Sequence, residues 1–241
     1  MRASRAFTLV ELLVAIGVIA ILAALVLSAF SRTKATAQAI TCRNNLRQWG
    51  TATHLYAADH DDCLPPEGKS APLETDLADP GYRAWYVQLP EQMNLPRYAD
   101  MPWRTNWTIH PENSIWICPS NPRRCNASTK TNNLFHYCLN DHVNGTGTND
   151  NNHSMKMANV RRPSQVVWLF DNGGLAAVAQ QNNVHSNLHS RGAQFLFLDG
   201  HVEFVNSLVG STASFPNGDP LATQIFPEPP QNLPQGTVPC P

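Results

Sequence analysis

The sequence predicts an α+β fold, in which a long N-terminal transmembrane helix continues into a small antiparallel β-sheet head with long loops. Three observations predict it. Residues 7–30, FTLVELLVAIGVIAILAALVLSAF, contain one charge, Glu11, and no proline. Apolar residues then recur at three- and four-residue steps to about residue 57, and no proline intervenes before Pro65. Towards the other end, two short apolar runs, 194–198 and 201–205, flank Asp199-Gly200, a dipeptide preferred in hairpin turns.

At 1.5 Å per residue the first run reaches about 36 Å as a helix. That exceeds the hydrocarbon core of a bilayer, about 30 Å. In front of it stand only six residues, MRASRA, with Arg2 and Arg5. An acid inside such a helix costs roughly 2.5–3.5 kcal/mol on insertion scales, so Glu11 either has a partner or sits near a hydrated interface. Charge does not settle topology, because Arg32, Lys34, Arg43 and Arg47 follow the run. A secretory signal peptide is the rival reading, with cleavage near Ala35-Thr36-Ala37 and release of a soluble protein. Its apolar region would be shorter, about 7–15 residues, and without an acid.

The short basic leader, the Phe-Thr-Leu-Val-Glu opening and the apolar run resemble the precursors of type IV pilins and type II secretion pseudopilins. The resemblance implies that a prepilin peptidase cuts between Ala6 and Phe7 and that the new amine on Phe7 is methylated. It also implies that Glu11 of one subunit neutralises the Phe7 amine of its neighbour during assembly. The family usually has Gly before the cut, where this chain has Ala6. Implied partners are the peptidase, other pilin-like subunits and an inner-membrane assembly platform. The chain would be a single-pass protein of a bacterial inner membrane, its head in the periplasm or on an extracellular filament.

Composition narrows the classes further. The 241 residues suffice for one domain and an anchor. Net charge is −1, and loss of Arg2 and Arg5 with the leader leaves 15 basic against 18 acidic residues, so no basic surplus exists for nucleic acid. Cys42, Cys63, Cys118, Cys125, Cys138 and Cys240 are six disulfide candidates, all beyond the apolar run, which favours an oxidising compartment. Six thiols allow fifteen full pairings, so connectivity stays open; the Cys118 to Cys125 loop is the easiest to close.

Past residue 30 the pattern turns amphipathic: Ala39, Cys42, Leu46, Trp49, Thr53 and Tyr56 share a face, separated by Arg43, Asn44, Arg47 and Gln48. Gly50 on this stretch lets the head approach closely. DHDDCLPPEG, residues 59–68, then ends the helix with turn and breaker residues. Its acids lack the alternation of a calcium loop, so a solvated turn is expected. The run NNLRQWGTATHLYAADHDDCLPP resembles the helix end and head start of the processing-associated branch of the same family. Between residues 69 and 116, six prolines alternate with Trp85, Trp103, Trp107 and Trp116. Packing is the commoner use of such rings, with a sugar platform as the alternative.

SIWICPSNP, residues 114–122, reads as a short strand stopped by Pro119, and it resembles the family's strand ending in Cys-Pro-Ser. Residues 140–152, mostly Asn, Asp, Gly and Thr, read as an exposed loop. VVWLF, residues 166–170, reads as a buried strand before Asp171, and the hairpin follows. His189 precedes Asp199-Gly200 by nine intervening residues, the signature of the prepilin-type processing-associated His-X9-Asp-Gly group. A proline-rich tail closes the chain. The divisions are thus a leader (1–6), a transmembrane helix (7–30), its amphipathic continuation (31–57), a globular head (58–210) and the tail (211–241).

His185, His189, His201, Asp171 and Asp199 offer donors for a divalent metal if strand ends bring them together. A structural role needs less: His189 and Asp199 would fix the hairpin to the preceding loop. No metal or other cofactor is therefore assigned, and the divalent ion remains the alternative. Ser186 beside His185 and Ser190 beside His189 lack a third group and an oxyanion site, so no enzyme is expected. The reading is a structural prepilin-like subunit. Its alternative is a singly anchored envelope module that binds a glycan or metal through its tryptophans or histidines and never polymerises.

Overall fold

A computed structural model describes residues 8–105, 109, 114–121, 134–141, 143, 154–160, 162–173, 176–179, 184–185, 188–189 and 192–206. The leader, Ala6 and Phe7, Trp107, Cys125, Ser186, Ser190, Cys240, the tail and most of the 140–152 loop lie outside the described residues.

One helix, α1 (Leu9–Asp59), accounts for 51 residues and about 76 Å. Its two ends have different environments. From Leu9 to Phe30 the apolar side chains are exposed, Leu13, Ile16, Ile19 and Leu25 among them, and Gly17 has nothing within 4 Å of a Cβ. From Cys42 onwards one face is buried in the head: Cys42, Leu46, Trp49, Thr53 and Tyr56, as the spacing predicts, with Asn45 and Ala52 between them. Gly50 sits where the hairpin comes nearest, and a Cβ there would lie 2.9 Å from Leu196 Cδ1 and 3.5 Å from Gly200 Cα. The helix ends at His60, after which Asp61 and Asp62 take left-handed φ values of 52° and 66°. Asp62 then serves as an anchor: its carbonyl accepts from Met157 N–H and its carboxylate from Ala158 N–H, each at 2.8 Å.

Short helices α2 (Glu74–Ala78), α3 (Trp85–Gln92) and α4 (Pro102–Thr105) occupy the proline-rich stretch. Their aromatic rings form the centre of the core: Trp49, Trp85, Tyr86, Tyr98, Trp116 and Phe135 pack at centroid distances of 4.3–6.4 Å. Trp85, Trp103 and Trp116 are thus buried packing groups, and none offers an open stacking face.

Four antiparallel strands, β1 (Tyr137–Asn140), β2 (Val167–Asp171), β4 (Gly192–Phe197) and β5 (Val202–Asn206), make most of the sheet. A two-residue strand, β3 (Val178–Ala179), joins β1 in parallel, giving the order β3-β1-β2-β4-β5. One face lays Leu139, Leu169 and Leu196 against α1 and the aromatic cluster, while the other buries Cys138, Phe170 and Phe195. A register shift between Val167 and Leu169 turns Trp168 to the α1 face, where its Nε1 donates to Thr53 Oγ1 at 2.9 Å.

Two local expectations are corrected. Residues 114–121 form turns and no strand. The carbonyls of Ser114 and Ile117 accept from Asn45 Nδ2 and that of Ile115 from Trp49 Nε1, so side chains of α1 take the place of a strand partner. The hairpin turn is longer than a two-residue type I′ turn. Residues 198–200 bridge Phe197 and His201, whose backbones bond at 2.9 Å, and of the three only Gly200 is left-handed (φ 88°). A three-residue connection with Gly in that position needs one left-handed residue where type I′ needs two.

Candidate functional site

The N-terminal region is built from a helix start. Thr8 is the N-cap of α1, and Glu11 folds back on it: Glu11 Oε2 accepts from Thr8 N–H and from Thr8 Oγ1, both at 2.8 Å, while Thr8 Oγ1 accepts from Glu11 N–H at 3.2 Å. This is a reciprocal capping box, for which Thr-x-x-Glu ahead of an apolar run is the sequence signature. Thr8 is therefore a residue of this region that the resemblance alone does not single out. In the isolated chain it occupies the carboxylate that the pilin analogy reserves for a neighbour's amine.

Behind this start lies a rod whose apolar stretch has no cover from the head. Among the described residues α1 is the one helix long and apolar enough to cross a membrane, and its most apolar window is wholly exposed. Exposed apolar surface on this scale calls for lipid or for other helices.

The second candidate region is the His-X9-Asp-Gly motif, and here the structure overturns the expected pairing. His189 and Asp199 flank opposite ends of β4, whose six residues span about 20 Å. Each finds another partner. His189 Nε2 meets Asp171 Oδ2 at 3.1 Å, both side chains 1% exposed or less. Asp199 Oδ1 instead accepts from His201 N–H at 3.1 Å and contacts His201 Nδ1 at 2.5 Å on the surface. The five candidate donors thus split into a buried pair and an exposed pair, with His185 joined to the first through its N–H to the Asp171 carbonyl. Asp199-Gly200 shapes the turn, and His189 ties the loop before β4 to the end of β2.

The buried pair abuts a disulfide. Cys42 of α1 and Cys118 are bonded, with Cα atoms 5.0 Å apart, and Cys118 Sγ lies 3.6 Å from His189 Nε2. The short Cys118 to Cys125 loop is thus not the one closed at Cys118; the turns that pack residues 114–121 on α1 bring Cys42 closer in space than sequence suggests. Cys63 is also disulfide-bonded. Cys138 leaves the set of disulfide candidates, because β1 buries it among Phe170, Phe195 and Val184 as a free thiol. Burial and then the Asp171 charge push that thiol well above its ordinary range, so it is a poor nucleophile. The same two causes push the Tyr137 hydroxyl up, and it accepts from Asn45 Nδ2 at 3.3 Å.

Among the described residues, Cys42, Cys118 and His189 form the one cluster with metal-ligand donors in mutual reach, within 4.8 Å, and the disulfide ties up its sulfurs. Among the described residues no nucleophile, base and orienting group converge in the manner of a hydrolytic triad.

Comparison with known proteins gives one positive finding. Residues 1–27 match the family model described as the prokaryotic N-terminal methylation motif, which is typical of type IV pilins and pseudopilins. No curated protein and no solved structure gives a significant match to the chain.

Proposed function

We propose that the chain is a prepilin-like structural subunit, cut before Phe7 by a prepilin peptidase, methylated there, and packed through α1 into a type II secretion pseudopilus or a type IV pilus-like filament. One observation carries the reading: an apolar helix that the head leaves bare begins inside an N-terminal methylation motif. The bare stretch stores the subunit in a bilayer and then packs against copies of itself. Burial of the described tryptophans, Trp85, Trp103 and Trp116 among them, speaks against the glycan-binding alternative, which would need an open ring face. Glu11 acts twice in this account, first as a cap on its own helix and then, once Phe7 carries a free amine, as that amine's partner on the next subunit.

The test separates the two roles. Replacing Glu11 by Ala removes both, whereas Thr8→Ala removes the capping box, at a helix cost of about 1 kcal/mol, and leaves the acid in place. Cross-linking of subunits in intact cells should disappear in Glu11→Ala and persist in Thr8→Ala. A Glu11→Ala protein that cross-links like the parent would remove the filament reading.

A further inference from the structure

Between Glu11 and Asp59 the chain carries four cations, Arg32, Lys34, Arg43 and Arg47, and no acid, all on α1. Residues 59–241 carry 17 acids against 11 lysines and arginines, so the rod and the rest of the chain have opposite charge. Among the described residues every ion pair lies in the head, and none includes a cation of α1. Arg43 and Arg47 have neutral partners instead. Arg43 Nε donates to Gln194 Oε1 at 3.4 Å and Arg47 Nη1 to Asn44 Oδ1 at 3.5 Å, contacts that orient both guanidiniums and neutralise neither. Four residues apart on a helix, like charges repel.

Anionic lipid accounts for one pair of these cations and not for the other. Measured along an upright axis from Phe30, Arg32 and Lys34 stand about 3 and 6 Å away, Arg43 and Arg47 about 20 and 26 Å. The headgroup layer is about 5–8 Å deep on each side of the hydrocarbon. Charge is screened beyond about 8 Å at physiological ionic strength. Arg43 and Arg47 therefore need an anion that is not lipid. Apolar exposure marks the same stretch: beyond Phe30, the large apolar side chains that α1 leaves exposed are Ile40 (54%) and Leu55 (47%). Ile40 shares a side of the helix with Arg43, three residues on, and Leu55 shares one with Asp59, four residues on. The two sides repeat each other at a shift of fifteen to sixteen residues, an apolar group followed by a charge, with the sign reversed.

Resting on the filament reading, we propose that Ile40, Arg43 and Arg47 form a docking surface for a second copy of this chain and take Leu55, Asp59 and Asp61 at the head end of that copy's α1. Asp59 and Asp61 are exposed and in no ion pair. Copies that share a membrane run parallel, so the surfaces meet when one copy stands about fifteen residues further out, roughly 22 Å. Ile40 is then level with Leu55, and Arg43 and Arg47 with the acids. The uniform apolar run packs equally well at many offsets; these charges select one.

The experiment uses the full chain in intact cells, with the photo-reactive residue benzoylphenylalanine in place of Ile40. Light should join two copies, and the cross-linked peptide of the second copy should lie within residues 55–62. Arg43→Glu together with Arg47→Glu should lower that yield at least about tenfold, because like charges then face each other. Adding Asp59→Arg and Asp61→Asn should restore it; Asn suits position 61, where the backbone is left-handed. An adduct with lipid, with another protein, within one chain or outside residues 55–62 would overturn the proposal. So would a charge reversal that leaves the yield unchanged, or a loss that the second pair of substitutions fails to restore. Mapping the adduct needs no charge variant, so it decides even if the reversed chain misfolds. Subunit cross-linking that is lost in Glu11→Ala and kept in the Arg43→Glu, Arg47→Glu chain would leave the filament standing and remove this interface alone.

Discussion

The first and last thirds of α1 are made by the same backbone geometry and face opposite problems. Leu9 to Phe30 carries one charge, Glu11, and its described apolar side chains are exposed, whereas from Cys42 to Tyr56 one stripe is buried and polar side chains on it are used. Asn45 donates to two carbonyls and a tyrosine, Trp49 to a third carbonyl, and Thr53 accepts from Trp168. In water a helix half can be specified only by such directional partners, because the turns it meets have no ladder of their own. In lipid or a helix bundle, uniform apolar surface suffices, and specificity falls to the lone charge at the start.

The contrast can be broken most severely at Trp49. Trp49→Ala removes a ring packed against Trp85 and Trp116 and orphans the Ile115 carbonyl, so the head should lose about 3–5 kcal/mol in guanidinium unfolding in micelles. Leu22→Ala, on the bare third, should leave that unfolding curve in place and act on assembly alone. Equal losses from the two would mean that the head covers more of α1 than described.

Glycine gives a finer version. Gly50→Val would push side-chain atoms into Leu196 and the hairpin and cost roughly 1–3 kcal/mol in head stability. Gly17→Val meets open space and should leave the head's melting temperature unchanged. A tolerated Gly50→Val would show that the hairpin can retreat from α1.

The smallest effect is one of pH. Arg104 holds the Glu74 carboxyl below the usual range, and Lys69 does the same for Asp76. Acids depressed in the folded chain stabilise it fully at neutral pH, and the contribution fades as pH falls below about 4. Glu74 is largely exposed, so solvent screening keeps the change small. Glu74→Gln should lower the neutral plateau slightly and flatten the acid limb of a stability profile, with the two proteins converging at acid pH.

How much of this was legible in sequence follows from the range of the interactions. The rod and its buried stripe were legible because helix periodicity is local, and the hairpin because Asp-Gly is a local turn preference. Its exact loop was not, since Asp199 and Gly200 differ in backbone hand only once His201 closes on Phe197. Residues 114–121 carry strand-like composition, yet carbonyls among them are claimed by Asn45 and Trp49, 66 to 72 positions away. His189 was singled out by its motif, but its partner Asp171 lies on another strand, and β4 separates it from Asp199. The Cys42 to Cys118 bond, 76 positions apart, is of the same kind. Pairings across the fold are fixed by packing that no spacing records.

The most direct test of the central account is the mass of the N-terminal peptide from protein isolated from its own membranes. A peptide beginning at Phe7 with one methyl group on its amine is the result expected. A chain still beginning at Met1, or one beginning near residue 38, would contradict it, the first by leaving Glu11 without an amine to meet and the second by removing the bare helix altogether.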